Sequence, residues 1–391
     1  MVRVQERPGH ARVLPRRPRE QARPLDDARH RRRPEGRPVS DRDRRRDITP
    51  VQAAERFIRK RENKNTENTV RSYRQRTEAF VMWAHEQGIE SMHELDGWLI
   101  DEYERHLEEQ GNAPATVKGK LSALKELLKY CADIEVVDEE LPEKVTLPRL
   151  SKDDQTNDDL LAADDARGLL DFYRDSVKHT GTVQHATLEV LWHVGCRTSC
   201  LRSLDVGDWD PEERVLRFRH RPPETRLKDG KEHERNVAVP KPVADALELF
   251  VARERPEKRD DAGRKPLFST THGRASETSI QCWAYQATQP CIFAGCPHNR
   301  RRDTCEYTQR QHSSKCPSSR SPHAIRTGSI TWQLNQGLSY VKVAKRVAAS
   351  PETIRRYYDK PDLEEELARR RPETEHLDIM NDLTTEDENG A

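Results

Sequence analysis

From Thr49 to about residue 133 the apolar residues return every three or four positions, and a stretch patterned in this way can fold only as packed helices. Thr49-Pro50-Val51-Gln52 opens the first of them with a capping residue, a Pro at the first helical position and a Gln three residues on. Val70, Tyr73, Phe80 and Ala84 share one face of a second helix, and Trp98, Tyr103 and Leu107 are expected on one face of a third. Pro114-Ala115-Thr116 begins a fourth, in which Val117, Leu121, Leu124, Leu128 and Cys131 form one apolar stripe and Lys118, Lys120 and Lys125 lie elsewhere. Residues 48–137 are thus expected to make a small helical domain.

Upstream the chemistry changes. Residues 1–47 hold 16 Arg, no Lys and 8 acidic residues, whereas the other 344 carry a net charge of −7. This Arg- and Pro-rich stretch lacks the periodic apolar residues that would offset chain entropy and is expected to be a disordered arm. It is either an arm that touches phosphates non-specifically or the product of a start codon placed too far upstream. No apolar run approaches the ~20 residues of a membrane span, so a soluble, cytoplasmic protein with no membrane partner is expected. Residues 138–158, with Pro142, Pro148 and many charges, read as a linker. Beyond it, helices are expected over 160–172, 182–194, 241–254, 276–287, 323–335 and 351–371. Residues 214–219 and 235–239 alternate at period two around a charged turn, which predicts a hairpin. The fold class is therefore mainly α: a helical N-terminal domain, a mostly helical second domain over 159–372 with a small antiparallel sheet, and an acidic tail over 373–391.

Several groups suited to phosphate chemistry fall at element junctions. They are Arg197 after a helix, Lys228 in the hairpin, His323 and Arg326 at a helix start, and the pair Tyr357-Tyr358. The segments His193-Val-Gly-Cys-Arg-Thr-Ser-Cys-Leu-Arg-Ser-Leu204, Pro322-His323-Ala-Ile-Arg326 and Ser350-Pro-Glu-Thr-Ile-Arg-Arg-Tyr-Tyr358 resemble, in order and rough separation, those of tyrosine recombinases of the phage integrase type. The resemblance covers about residues 48–372 and looks closest to the integrases of halophilic archaea. It implies a SAM-like core-binding domain and a catalytic domain that close around double-stranded DNA, with protomers forming a tetramer on paired sites, in the cytoplasm and associated with the nucleoid. It further implies strand cleavage and rejoining through a 3′-phosphotyrosine, with no cofactor for catalysis. Attack on a phosphodiester builds charge on the non-bridging oxygens, and two guanidiniums clamp these through charge-assisted forks that Lys cannot make. Arg197 and Arg326 would be that clamp, and His323 would assist proton transfer.

Two assignments stay open in the sequence. The leaving oxygen needs a proton, and the turn Arg226-Leu-Lys-Asp-Gly-Lys231 offers Lys228, the preferred donor, and Lys231. The nucleophile falls on Tyr357 by the count from Ser350-Pro351 that is general in the family. It falls on Tyr358 in the ending that resembles the halophilic archaeal one. Tyr358 is preferred. Two positions depart from the family pattern, with Ala348 where many members carry a second His or a Trp and Cys200 where an acidic residue is often found. Arg71, Arg74, Arg76, Lys118 and Lys120 are candidates for backbone contacts with DNA. The alternatives are a catalytically impaired relative that still binds its site and a type IB topoisomerase activity.

The spacing Cys291-x4-Cys296-x8-Cys305-x10-Cys316 gathers four of the eight thiols, with His298 and His312, in an Arg-rich insertion over 288–320 that has few apolar residues. A structural Zn²⁺ held by Cys291, Cys296, Cys305 and Cys316 would supply order there, the alternatives being free thiols or a redox pair. Cys131, Cys196, Cys200 and Cys282 read as small core residues.

Overall fold

The computed structural model describes residues 47–151, 159–374 and 377. All but Asp47 of the expected arm, residues 152–158 of the expected linker and most of the acidic tail lie outside the described residues. The chain divides into two compact units, Met1–Arg149 and Leu150–Ala391.

In the first unit, α1 (Pro50–Glu62) opens on the expected capping box, with Thr49 Oγ1 accepting from Gln52 N and Gln52 Oε1 accepting from Thr49 N, both at 3.2 Å. Thr66 caps α2 (Glu67–Glu86), Asp96 caps α3 (Gly97–Glu109), and α4 (Pro114–Asp133) begins at its Pro. Phe57, Phe80, Trp83, Tyr103, Leu121 and Leu124 are buried together, with Phe80 edge-on to Tyr103 at 5.5 Å. Trp98 departs from expectation and is 68% exposed. Five positions separate it from Tyr103, a rotation of about 140°, so Ile100 takes the inward place instead. Residues 138–149, expected within the linker, pack on this unit. Leu141 and Val145, four apart around the one-turn α5 (Leu141–Lys144), are buried in its core.

The second unit is built around α7 (Val183–Val194), which is buried on nearly every side and carries His185, Thr187 and Glu189 into the interior with its apolar residues. α6 (Ala163–Asp175), α9 (Lys241–Arg253), α10 (Glu277–Ala287) and α11 (Pro322–Asn335) pack against it. α8 (Thr198–Ser203) leads into β1 (Trp209–Asp210), which pairs antiparallel with β2 (Val215–Phe218), and β2 pairs with β3 (Arg235–Ala238). That is the expected hairpin, in the register Val215 opposite Ala238 and Phe218 opposite Arg235. A short ladder joins β4 (Ser269–Thr270) to β5 (Gly273–Arg274). On α11, Gly328 lets the carbonyl of Leu161 press against the helix, where any Cβ would overlap it. Among the described residues no helix is long and apolar enough to cross a membrane.

The C-terminal region differs from the single helix expected over 351–371. α12 (Tyr340–Val347), α13 (Pro351–Tyr357) and α14 (Leu363–Thr374) replace it. α12 ends on Ala348, whose φ of 54° turns the chain, and Pro361 separates the last two helices. Ile330, Leu334, Val343, Val347, Ile354 and Tyr358 form a separate apolar cluster under these helices.

Candidate active site

The position of Arg197 is set by the helix before it. Within α7 the carboxylate of Glu189 is buried and receives Arg174 Nε at 2.7 Å and Arg174 Nη2 at 3.1 Å. His185 Nε2 lies 3.3 Å and His193 Nδ1 3.0 Å from the same carboxylate. Burial alone would raise this carboxyl, but the hydrogen bonds from His185, His193 and Arg174 outweigh it and hold Glu189 far below the usual range. A charged anchor thus fixes the last two turns of α7. The helix then ends on Gly195, whose φ of 68° suits a residue without a Cβ and whose own Cβ position is crowded by Ser329 and Val347.

Arg326 projects from α11 and is 1% exposed. Its Nη1 donates to the carbonyls of Gly195 at 2.6 Å and Val347 at 2.8 Å, while Nε and Nη2 are buried and have no hydrogen-bond partner in the protein. Arg197 Nη1 donates to the next carbonyl, that of Ala348, at 2.5 Å. The end of α12 therefore presents successive backbone oxygens to both guanidiniums, as the negative end of a helix dipole favours. The two arginines share a cavity of about 260 Å³ with Thr198, Ser199, Glu277, Pro322 and His323. Arg326 lines this cavity with three N–H bonds, on Nε and Nη2, buried and unpaired, and such a guanidinium is suited to an oxyanion, since an unpaired buried donor is costly to keep otherwise.

Tyr358 stands at the C-terminus of α13, 7% exposed, its ring 5.4 Å from that of His323 and 4.9 Å from Arg326 Cζ. Thr331 Oγ1 donates to its carbonyl at 2.9 Å. The following Asp359 accepts from the Tyr340 hydroxyl and, at 2.8 Å, from Arg369 Nη1, which pins the segment. Tyr357 turns away and is half-buried, with Arg356 over its ring at 5.1 Å. Burial, then the charges of Arg326 and Arg197, lower the pKa of His323 and favour its neutral form. Burial also lowers that of Arg326, an effect opposed by Tyr358 and deepened by Arg197.

Of the residues singled out in the sequence, Arg197, His323, Arg326 and Tyr358 come together. Lys228 and Lys231 are both exposed in the long turn of the hairpin, outside the lining of this cavity. Arg71 and Arg74 lie exposed on α2, paired with Glu67 at 3.2 Å and Glu62 at 3.0 Å. Lys118 and Lys120 are half-buried on α4, and Lys120 Nζ donates to Asn112 Oδ1 at 3.2 Å. Cys200 and Ala348 are buried.

Cys291, Cys296, Cys305 and Cys316 are free thiols, and no group of three or more His, Cys, Asp or Glu able to hold a metal ion occurs among the described residues. Polar contacts tie the insertion to its neighbours. Gln289 Nε2 donates to Tyr307 O at 2.6 Å, Arg310 Nη2 to Ser279 Oγ at 2.9 Å, and Arg320 Nε to Leu160 O at 3.1 Å. Sequence reasoning missed Glu189, Glu277, Arg235, Arg346 and the helix α12. Ser339, which caps α12 by accepting from Lys342 N, was a readable signal for the last.

Known proteins agree with this architecture. The sequence profile of the phage integrase N-terminal SAM-like domain matches residues 55–133. Tyrosine recombinase XerC of Pelotomaculum thermopropionicum is 27% identical over 163 residues, 42% of this chain and 49% of that protein, so the chain spans about half the length of this relative. The N-terminal domain of a phage integrase/site-specific recombinase from Haloarcula marismortui is 41% identical, matching 26% of this chain and 98% of that one with a TM-score of 0.26. The Tn1549 transposon integrase, solved in complex with a circular intermediate DNA, is 16% identical over 85% of this chain and all of that one, with a TM-score of 0.59. The fold is that of an N-terminal helical domain joined to a mostly helical domain of the integrase kind. The N-terminal domain belongs to the phage integrase SAM-like family, and the chain is similar to tyrosine recombinases.

Proposed function

We propose that the protein is a site-specific DNA recombinase that cleaves and rejoins strands through a 3′-phosphotyrosine. The observation that carries this is the convergence of Arg197, His323 and Tyr358 on a buried Arg326 whose Nε and Nη2 are unpartnered. In the cleavage step Tyr358 Oη forms a bond to phosphorus while the bond from phosphorus to the 5′ oxygen breaks. The tyrosine proton passes toward His323, and the leaving oxygen takes a proton from Lys228 or Lys231. The two guanidiniums bind the non-bridging oxygens as charge develops on them. The phosphoester keeps the bond energy, so rejoining needs neither ATP nor metal. Tyr358 rather than Tyr357 is supported as nucleophile by its contact with both His323 and Arg326.

Double-stranded DNA is the partner on this reading, with Arg71, Arg74, Lys118 and Lys120 contacting its backbone and four protomers assembling on two sites. A structural zinc ion on Cys291, Cys296, Cys305 and Cys316 is a separate proposal. It has in its favour the insertion's lack of an apolar core and against it the separated thiols. Elemental analysis of the purified protein tests it, and less than about half an equivalent of zinc removes it. The recombinase reading is tested by incubating the protein with nicked duplexes from a random-sequence library and recovering covalent adducts. Peptide mapping is expected to find the nucleotide on Tyr358. An adduct on neither tyrosine removes the reading.

A further inference from the structure

Two arginines outside the cavity tie together the three elements that the chemistry has to bring into register. Arg346 sits in the last turn of α12, and its Nη2 and Nε donate to His193 O at 2.9 and 3.3 Å, at the end of the helix that leads to Arg197. Its Nη1 donates to Ala238 O at 2.9 Å, at the end of β3. Arg235 answers from the start of β3. Its Nε donates to Arg346 O at 2.8 Å and its Nη1 to His233 O at 3.1 Å, and its guanidinium lies 4.2 Å over the ring of Phe218. A strand side chain thus bonds to the helix backbone, and a helix side chain bonds to the strand backbone.

The arrangement runs against simple charge preference. Burial lowers the pKa of the Arg346 guanidinium and the neighbouring Arg235 lowers it further, since two like charges lie side by side in a partly dry seam. The carbonyls of His193, Ala238 and Arg346 offset that cost. The seam also has a particular address. Arg346 O receives Arg235, Val347 O receives Arg326 and Ala348 O receives Arg197, so three consecutive oxygens each hold one arginine. The hairpin has only two four-residue strands, and although Arg202 Nη1 donates to Glu224 O at 2.5 Å, Arg221 pairs with Asp208 and Leu227 is buried within its sixteen-residue connection, that pairing alone leaves the register of the strands against α12 to be set by other contacts. A general acid contributes only when held within hydrogen-bond reach of the oxygen it protonates.

We propose that Arg235 and Arg346 are positioning residues that hold the β2–β3 hairpin, and with it the proton-donating lysine of its turn, in register with Tyr358 and the Arg197–Arg326 pair. This rests on the recombinase reading above. Neither side chain lines the cavity, and both are committed to backbone carbonyls.

The test uses the full-length protein and two nicked duplexes bearing the cleavage sequence selected with wild type, identical except that sulfur replaces the 5′-bridging oxygen in one. On the sulfur substrate the tyrosine oxygen still bonds to phosphorus and the phosphorus–sulfur bond breaks. The thiolate leaves with the electron pair and needs no proton. Arg346→Met and Arg235→Met are expected to slow adduct formation on the oxygen substrate at least about tenfold, out of the roughly 10²–10⁴-fold that general acid catalysis contributes. On the sulfur substrate they should stay within about threefold of wild type, and the double variant should be no slower than the worse single one. Arg346→Lys, which reaches one carbonyl but not both, should fall between and serves if the Met variants do not fold. Equal slowing on both substrates, or none on either, overturns the inference. A wild type that forms no adduct on either substrate overturns the recombinase reading instead.

Discussion

At the residue scale the two arginines proposed as the clamp are not equivalent. Arg197 is half-exposed and serves one carbonyl, whereas Arg326 is buried and serves two. Arg197→Ala should therefore lower covalent adduct formation by about 10²–10³-fold, as losing one oxyanion donor does, with melting temperature and DNA affinity nearly unchanged. Arg326→Ala should lose the same chemistry and in addition destabilise the fold by ~2–5 kcal/mol, because the buried carbonyls of Gly195 and Val347 lose their donor. Parallel gel-shift, adduct and urea-unfolding measurements separate these effects. Tyr358→Phe should eliminate the adduct, and Tyr357→Phe should only reduce it. His323 gives the pH dependence. Its folded pKa lies below the ordinary 6.5, so the unfolded chain binds the proton more readily. Its contribution is complete at neutral pH, and stability falls as pH drops below about 6.5. Replacing it in His323→Gln should flatten the pH dependence of unfolding between neutral pH and pH 5; an unchanged slope would place the titration elsewhere.

At the scale of elements, the left-handed turn after α12 invites a direct test. Ala348 at a φ of 54° carries a Cβ where glycine is at ease. Relief of ~1–2 kcal/mol of left-handed strain outweighs the ~0.5–1 kcal/mol entropy cost of a glycine. Ala348→Gly should then raise stability by about 0.5–1 kcal/mol in thermal unfolding and leave the Arg197 contact intact. Gly328→Ala should do the reverse, since its Cβ overlaps Leu161 O, with a loss of ~1–3 kcal/mol expected for overpacking. Most elements were legible because their signals are local. Thr49, Pro50 and Gln52 announce a helix start without outside help, and the alternation around 214–239 announces a hairpin. The C-terminal break was legible only in part, through Ser339 and Pro361. It depends on Asp359 held by Tyr340 and Arg369 and on Thr331 held by Tyr358, contacts between residues 10 to 27 positions apart that no periodicity records. The same holds for the site. The types Arg, His and Tyr were readable, while Glu189 within α7 looked like any charge in a helix.

At the scale of the molecule, each unit carries its own buried cluster, the first running from Ile48 to Val145 and the second beginning at Leu161. Residues 47–149 and 150–374 produced separately should therefore each unfold in a single cooperative transition near the temperature of the matching transition in the full chain. A fragment without such a transition would show that its core is incomplete alone. The row of carbonyls at the end of α12 has a further consequence at this scale. Every residue but none in particular supplies a main-chain oxygen, so a clamp aimed by such oxygens survives exchange of the side chains around it. The ring expected near position 348 can become a methyl group and the arginines still find their bearings. On the recombinase reading, a phosphate would thus be steered through atoms that no side-chain substitution removes.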